Sequence, residues 1–245
     1  MNQRVKFFLS HLSISFLISL IAVGVIFYIW YPYPLAQAVG VTQLFIMLIV
    51  IDVIVGPIMT FLIYKKDFNV FKIDLAIIVI IQVAAFLYGF YSIAQGRPAW
   101  IVFNQNKFEL VRANEQFIDD AEKINKEFKN VSWFGPRYVS VLPSSDSKKK
   151  EDDLFMEVLG GVSLAQKPER YVLLSATAEK MKQQAQSLKK LELYNDTDTV
   201  KEILLKYPQA TDYLPLKANE LDMVVLINKR KMEIISMVNL RPWSQ

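Results

Sequence analysis

The residues best able to do chemistry lie in one stretch: Asp52, Gly56-Pro57, Thr60, Lys65-Lys66, Asp74, Gln82, Tyr88-Gly89 and Arg97-Pro98. Asp52, Gly56, Pro57, Gln82 and Tyr88 punctuate an otherwise apolar background. A carboxylate there costs a few kcal/mol to place in hydrocarbon, so it must face protein or a wet cavity. Asp52 therefore has four readings: packing through a hydrogen bond to Gln82, docking of a partner helix, a proton relay, or an intramembrane aspartyl protease. The protease needs two carboxylates sharing one site. Asp74 is the candidate second acid, but it begins a span, and helical rise leaves the two about 15 Å apart along the membrane normal. Packing and docking are thereby favoured, and Asp74 is expected to start its helix or pair with lysine at the interface.

Other chemistry is excluded by composition. The 245 residues contain no Cys and one His. Disulfide frameworks, thiolate nucleophiles and multi-histidine metal sites are therefore absent, and no cofactor is expected. His11 reads as an interfacial side chain near the inner boundary. Gly160-Gly161 lacks the lysine-serine context of a phosphate loop and reads as a turn. Residues 1–96 carry five basic against three acidic side chains, and the remainder 23 against 21, so nothing points to nucleic acid.

These residues must be positioned by membrane helices. From Phe7 to Ile51 there is no charged residue, a run of 45. As one helix it would extend roughly 68 Å, over twice a hydrocarbon core. The turn falls at Tyr31-Pro32-Tyr33-Pro34, where proline removes amide donors and restricts its predecessors. Spans are expected at about 8–30, 39–64 and 73–93, forming a unit of residues 1–96. Ala36-Gln37-Ala38 resembles a signal cleavage site, but the apolar run exceeds a signal core and further spans follow, so a retained anchor is expected. Ser15 and Ser19 have small-xxx-small spacing suited to close helix contact. Gly56-Pro57 is expected to bend span two, and antiparallel packing of adjacent helices brings Asp52 within reach of Gln82.

Arg4, Lys6, Lys65, Lys66 and Lys72 occupy one set of flanks, and the loop at Tyr31–Val39 has no charge. By the positive-inside rule the amino terminus is cytoplasmic and everything after Arg97 lies outside. Tyr28, Trp30, Tyr31, Tyr33, Tyr88 and Tyr91 would form the outer aromatic belt. Residues 97–245 read as an α+β domain. Hairpins are expected around Asn104–Lys107 and Asn228–Lys231, a strand at Tyr138–Leu142, and helices over Phe117–Phe128 and Ala178–Leu188. Thr199 with Glu202 reads as a capping box for a helix ended by Pro208, and Ser144–Asp153 as a solvated loop. The fold class is thus a three-helix transmembrane domain followed by a mixed α+β periplasmic domain.

At Asp52…Gly56-Pro57…Thr60, Lys66, Asp74-Leu75, Gln82, Tyr88-Gly89 and Arg97-Pro98 the sequence resembles the type IV pilin accessory proteins, the TfpX/TfpZ family. The likeness continues through Phe103, Phe108, Gly160-Gly161, Pro168, Tyr171, Tyr213-Leu214-Pro215-Leu216 and Arg241-Pro242-Trp243. Lys65-Lys66-Asp67-Phe68 is less basic than the family's usual loop. The resemblance implies an inner-membrane protein of a Gram-negative bacterium that assists the major pilin before or during pilus assembly. It implies no enzymatic activity. The partners expected are the membrane helix and periplasmic head of the major pilin, membrane lipid and other pilus assembly components. Asp52, Gly56, Pro57, Gln82, Tyr88 and Arg97 are the expected partner-binding or helix-packing positions. An intramembrane hydrolase or pilin-modifying enzyme using Asp52 is the alternative.

Overall fold

The computed structural model describes residues 2–65 and 68–244, apart from the side chains of residues 68 and 69. Lys66 and Asp67, counted above in the basic loop, lie outside the described residues. The chain forms two compact units: Met1–Ala36 with Gly40–Gly96, and Arg97–Gln245 with Gln37–Val39.

Among the described residues, the first unit contains three helices long and apolar enough to cross a membrane, Gln3–Trp30, Val41–Ile63 and Val70–Gln95. Their burial is inverted relative to a water-soluble bundle. Ile14, Phe16, Leu17, Ile21, Ile80 and Ile81 are exposed, while Ser19, Asp52 and Thr60 are buried. Span one ends at the expected prolines, and Gly40, at φ +77°, supplies the left-handed turn from the short helix Leu35–Val39 into span two. In span two a π-helical turn, Val50–Val55, immediately precedes Gly56-Pro57. Pro57 has no N–H to donate to the carbonyl four residues back, and the helix widens at that place.

Span two packs against both other spans. Spans one and three meet through rings near their ends: Phe7 against Phe71 at 4.9 Å, and Trp30 against Phe90 at 5.0 Å. The Tyr31 hydroxyl donates to the Ile93 carbonyl at 2.7 Å. Trp30 and Tyr31 are therefore buried between helices, in contrast to the belt position expected for them. Tyr28, Tyr33, Tyr88 and Tyr91 are exposed.

The second unit is built on one mixed sheet of eight strands: β1 (Pro98–Asn104), β2 (Lys107–Arg112), β3 (Arg137–Val141), β4 (Tyr171–Val172), β5 (Gln186–Ser187), β6 (Asp212–Lys217), β7 (Met223–Asn228) and β8 (Glu233–Val238). The order is β4-β3-β1-β2-β6-β7-β8, with β5 beside β6. β1 pairs antiparallel with β2 and parallel with β3; β2 joins β6 in parallel, and β6, β7 and β8 form an antiparallel meander. β1 is buried at every position, as a central strand covered on both faces must be. Trp100 anchors this half of the core, edge-on to Tyr171 at 5.2 Å and to Phe128 at 6.1 Å. Leu191, Val200, Tyr213 and Leu226 fill the other half. Within this unit the Glu220 amide donates to the Ala38 carbonyl at 2.9 Å, and Asn239 Nδ2 to Gln37 Oε1 at 2.7 Å.

Both hairpins and the Tyr138 strand form where periodicity places them. Four expectations are corrected. The helix expected over Ala178–Leu188 stops at Gln184, and β5 and a 3-10 segment, Leu188–Leu193, follow it. Residues 117–128 are turns rather than a helix, although Ile124 and Phe128 are buried as their spacing requires. Asp120 and Asn125 accept from the amides of Glu122 and Glu127, and the Phe117 amide donates to Gln166 O at 2.8 Å. Such local side-chain acceptors compete with helical bonds. Ser147–Leu159 is a helix rather than part of a loop, capped by Asp146, whose carboxylate accepts from the Lys148 amide at 3.0 Å. The cap of Thr197–Leu205 is Asp196, which accepts from Thr199 at 2.9 Å, so Thr199 lies inside the helix. β6 carries Pro215, a residue that argues against a central strand. It is tolerated because β5 pairs with residues 212–213 and β2 with 216–217, leaving Pro215 between the two ladders.

Candidate functional site: a polar-floored groove between the spans

Because spans one and three part between their ringed ends, a groove of about 490 Å³ opens along the first unit. Span two forms its floor. Asp52, Thr60 and Gln82 line it together with Ser10, His11, Ser15 and Ser19, and the remaining walls are apolar. Asp52 is 7% exposed and Thr60 1%. The π-helical turn carries Asp52.

Chain arithmetic accounts for who meets whom. Around a turn centred near Leu35, His11 lies 24 residues before and Thr60 25 after. Their side chains join at 2.7 Å between His11 Nδ1 and Thr60 Oγ1. His11 is thus a groove residue held to span two, in contrast to the interfacial reading. The signal was present in the sequence, as equal distance from a proline turn. Ser19 and Asp52 are matched in the same way, 16 and 17 residues from Leu35.

Gln82 is brought to the groove, but the expected Asp52–Gln82 hydrogen bond does not form. Among the described residues Asp52 Oδ2 is buried without a partner, and Gln82 Oε1 lies beside His11 without a well-formed hydrogen bond. The Gln82 carboxamide lies instead across Gly56, where a Cβ would collide with it. Gly56 is four residues beyond Asp52, about one helical turn or 6 Å away. Pro57 is buried beside Gly56. Gly89 gives span three its close approach to span two, because a Cβ there would meet Leu48 Cδ1 at 2.7 Å.

Two expected residues lie elsewhere. Tyr88 is 76% exposed and outside the groove lining. Arg97 belongs to the second unit, where its Nε donates to Ser132 O at 3.2 Å and its guanidinium stacks on Trp133 at 3.8 Å. Asp74 pairs with Lys65 at 2.8 Å, the interfacial role expected for it. Among the described residues, no group of three or more His, Asp or Glu is placed to hold a metal ion.

The second unit holds an ion cluster around the buried Lys167 that sequence reading missed. Lys167 bonds Asp153 at 2.8 Å and Asp119 at 3.1 Å, and Arg170 bonds Asp153 at 3.0 Å. Burial alone would lower the Lys167 ammonium, but these two carboxylates outweigh it and hold its pKa above the ordinary lysine value. The cluster fastens the Ser147–Leu159 helix through Asp153, while Leu154, Phe155, Val158 and Leu159 remain exposed on that helix.

The three apolar helices and the mixed sheet define a membrane-anchored protein with an α+β unit, and the comparisons place it. The family described as "Fimbrial assembly protein FimB" matches residues 1–40. The fimbrial assembly protein of Dichelobacter nodosus serogroup E1 is 29% identical over 240 residues, covering 94% of this chain and 92% of the relative. The serogroup I protein gives the same identity and coverage. The protein of serogroups C1 and C2 is 34% identical over 112 residues, which is 45% of this chain and 86% of that one. No solved structure matches. The chain belongs to the fimbrial assembly proteins, the type IV pilin accessory family it resembles in sequence.

Proposed function

We propose that this protein is an inner-membrane accessory factor that binds the major pilin and supports pilus assembly as a chaperone. The spans shelter the pilin's apolar membrane helix in the groove, and the α+β unit meets the pilin head in the periplasm. The observation that carries this reading is the groove itself: a gap between membrane helices, apolar along its walls, with buried polar groups on its floor. Close helix packing would otherwise eliminate such a gap. The relatives' fimbrial assembly names supply the process. The exposed apolar face at Leu154, Phe155, Val158 and Leu159 supports a protein-binding surface on the α+β unit. The enzyme alternative gains no support, since Asp74 is paired with Lys65 rather than with Asp52.

Orientation follows the positive-inside rule, with Arg4, Lys6, Lys65 and Lys72 on the cytoplasmic side. The Gln37–Val39 segment between spans one and two belongs to the same unit as the residues after span three, in keeping with an odd number of crossings. A periplasm-only reporter fused to the carboxyl end should be active, and activity of a cytoplasm-only reporter there would overturn this orientation. The function itself is tested by counting pili and measuring pilin abundance with and without the protein, with a photocrosslinker at Ile18 in the groove wall. Fewer pili on deletion and a crosslink to pilin are expected. Unchanged pili would overturn the assembly role.

A further inference from the structure

Among the described residues, Asp52 Oδ2 is a buried acceptor with no donor, and Gln82 Oε1, which lies beside His11, has no well-formed hydrogen bond. The neighbouring polar pair, His11 and Thr60, is already satisfied internally. A buried orphan needs a reason, and for an acceptor facing a groove between apolar helices a donor supplied by the occupant is one that meets it. We infer that the groove recognises a membrane helix bearing one hydrogen-bond donor side chain at the depth of Asp52, so that docking is selected by polarity as well as by shape. This rests on the groove being a helix-binding site.

Depth narrows the chemistry of the occupant. Asp52 lies 11 residues from Ile63, the end of span two. At about 1.5 Å per residue that is roughly 17 Å, near the middle of a hydrocarbon core about 30 Å thick. Acyl chains carry no donor, and lipid head groups remain at the interface. A hydroxyl, carboxamide, ammonium or protonated carboxyl on a transmembrane helix can reach that level. Such a donor satisfies Asp52 Oδ2, and a two-hydrogen donor also reaches toward Gln82 Oε1. An occupant without one would leave Asp52 Oδ2 orphaned in hydrocarbon, where water cannot substitute.

The test uses the full-length protein in membranes, with a photocrosslinker at Ile18 and the major pilin as probe. Each polar residue in the pilin's apolar membrane segment is replaced by Leu in turn. One replacement should lower the crosslink per molecule by about three- to tenfold, the range set by a single interhelical hydrogen bond. The same replacement should have no further effect in Asp52→Leu, whereas Asp52→Asn, which keeps an acceptor, should crosslink nearly as well as the parent. If Asp52→Leu fails to accumulate, the pilin series against the parent protein and Gln82→Leu still decides the matter. Pilin crosslinking that is indifferent to every one of these changes overturns the donor and leaves the helix site standing. Crosslinks to lipid alone, with pilin absent, overturn the occupant and the donor together.

Discussion

The Gln82 carboxamide lies across Gly56, filling the space that any β-carbon at position 56 would occupy. Glycine at this position lets the amide of span three cross the backbone of span two and enter the groove. Gly56→Ala should push Gln82 aside at a cost of about 1–3 kcal/mol, the usual range for overpacking. The obstruction is the end of a flexible side chain, so the lower part of that range is expected. Melting of the purified protein in detergent measures it. Pairing the change with Gln82→Ala should restore most of the loss, and equal melting of the single and double variants would show that the two positions do not couple.

Asp52 gives the opposite expectation for stability. With no partner on Oδ2, Asp52→Leu removes an unsatisfied buried acceptor and should leave the protein as abundant as before, or more so. Pilin contact should nevertheless fall. A lower protein level with pilin contact retained would instead identify Asp52 as a packing residue.

Lys167 should be the costly residue of the α+β unit. Removing one partner of a buried ion pair leaves an uncompensated charge, typically about 3–5 kcal/mol. Asp153 keeps Arg170 and Asp119 is half exposed, so Lys167→Met should fall below that range, at about 1–3 kcal/mol. Loss of the Ser147–Leu159 helix, read as protease cleavage within it, should accompany the destabilisation. An unchanged melting temperature would refute this.

Glu115 sets an acid limit. Burial pushes its carboxyl upward, but hydrogen bonds from the Arg112 side chain and amide, at 2.7 and 2.9 Å, prevail and hold its pKa below the ordinary 4.5. A depressed folded value means stability that is present above the ordinary carboxyl range and lost as pH falls through the folded value. The full chain should therefore lose melting temperature as pH drops below 4.5, and Glu115→Gln should lose less over the same interval. Parallel curves for the two proteins would remove Glu115 as the cause.

The membrane spans were legible because hydrocarbon allows few alternatives: a charge-free run broken by two prolines can fold back at one place. The hairpins at Asn104–Lys107 and Asn228–Lys231 were legible from β-rich flanks around polar turns. The segment at 117–128 misled because only half of its apolar spacing records burial: Ile124 and Phe128 reach the core, Phe117 and Ala121 are exposed, and Asp120 and Asn125 bend the backbone locally. The Ser147–Leu159 helix was hidden because Lys167 and Arg170, which fasten it, are distant in sequence. At the groove, Asp52 and Gln82 were legible as its polar members. Their offset by one turn was not, because equal distance from a loop specifies depth but not which faces meet.

The ring contacts at Phe7–Phe71 and Trp30–Phe90 close the ends of the gap between spans one and three. If the groove takes a helix as proposed above, that helix enters sideways, through the plane of the bilayer, rather than end-on. It can exchange hydrocarbon neighbours for protein neighbours without crossing water. Capture and release at such a berth would then follow two-dimensional diffusion within the membrane.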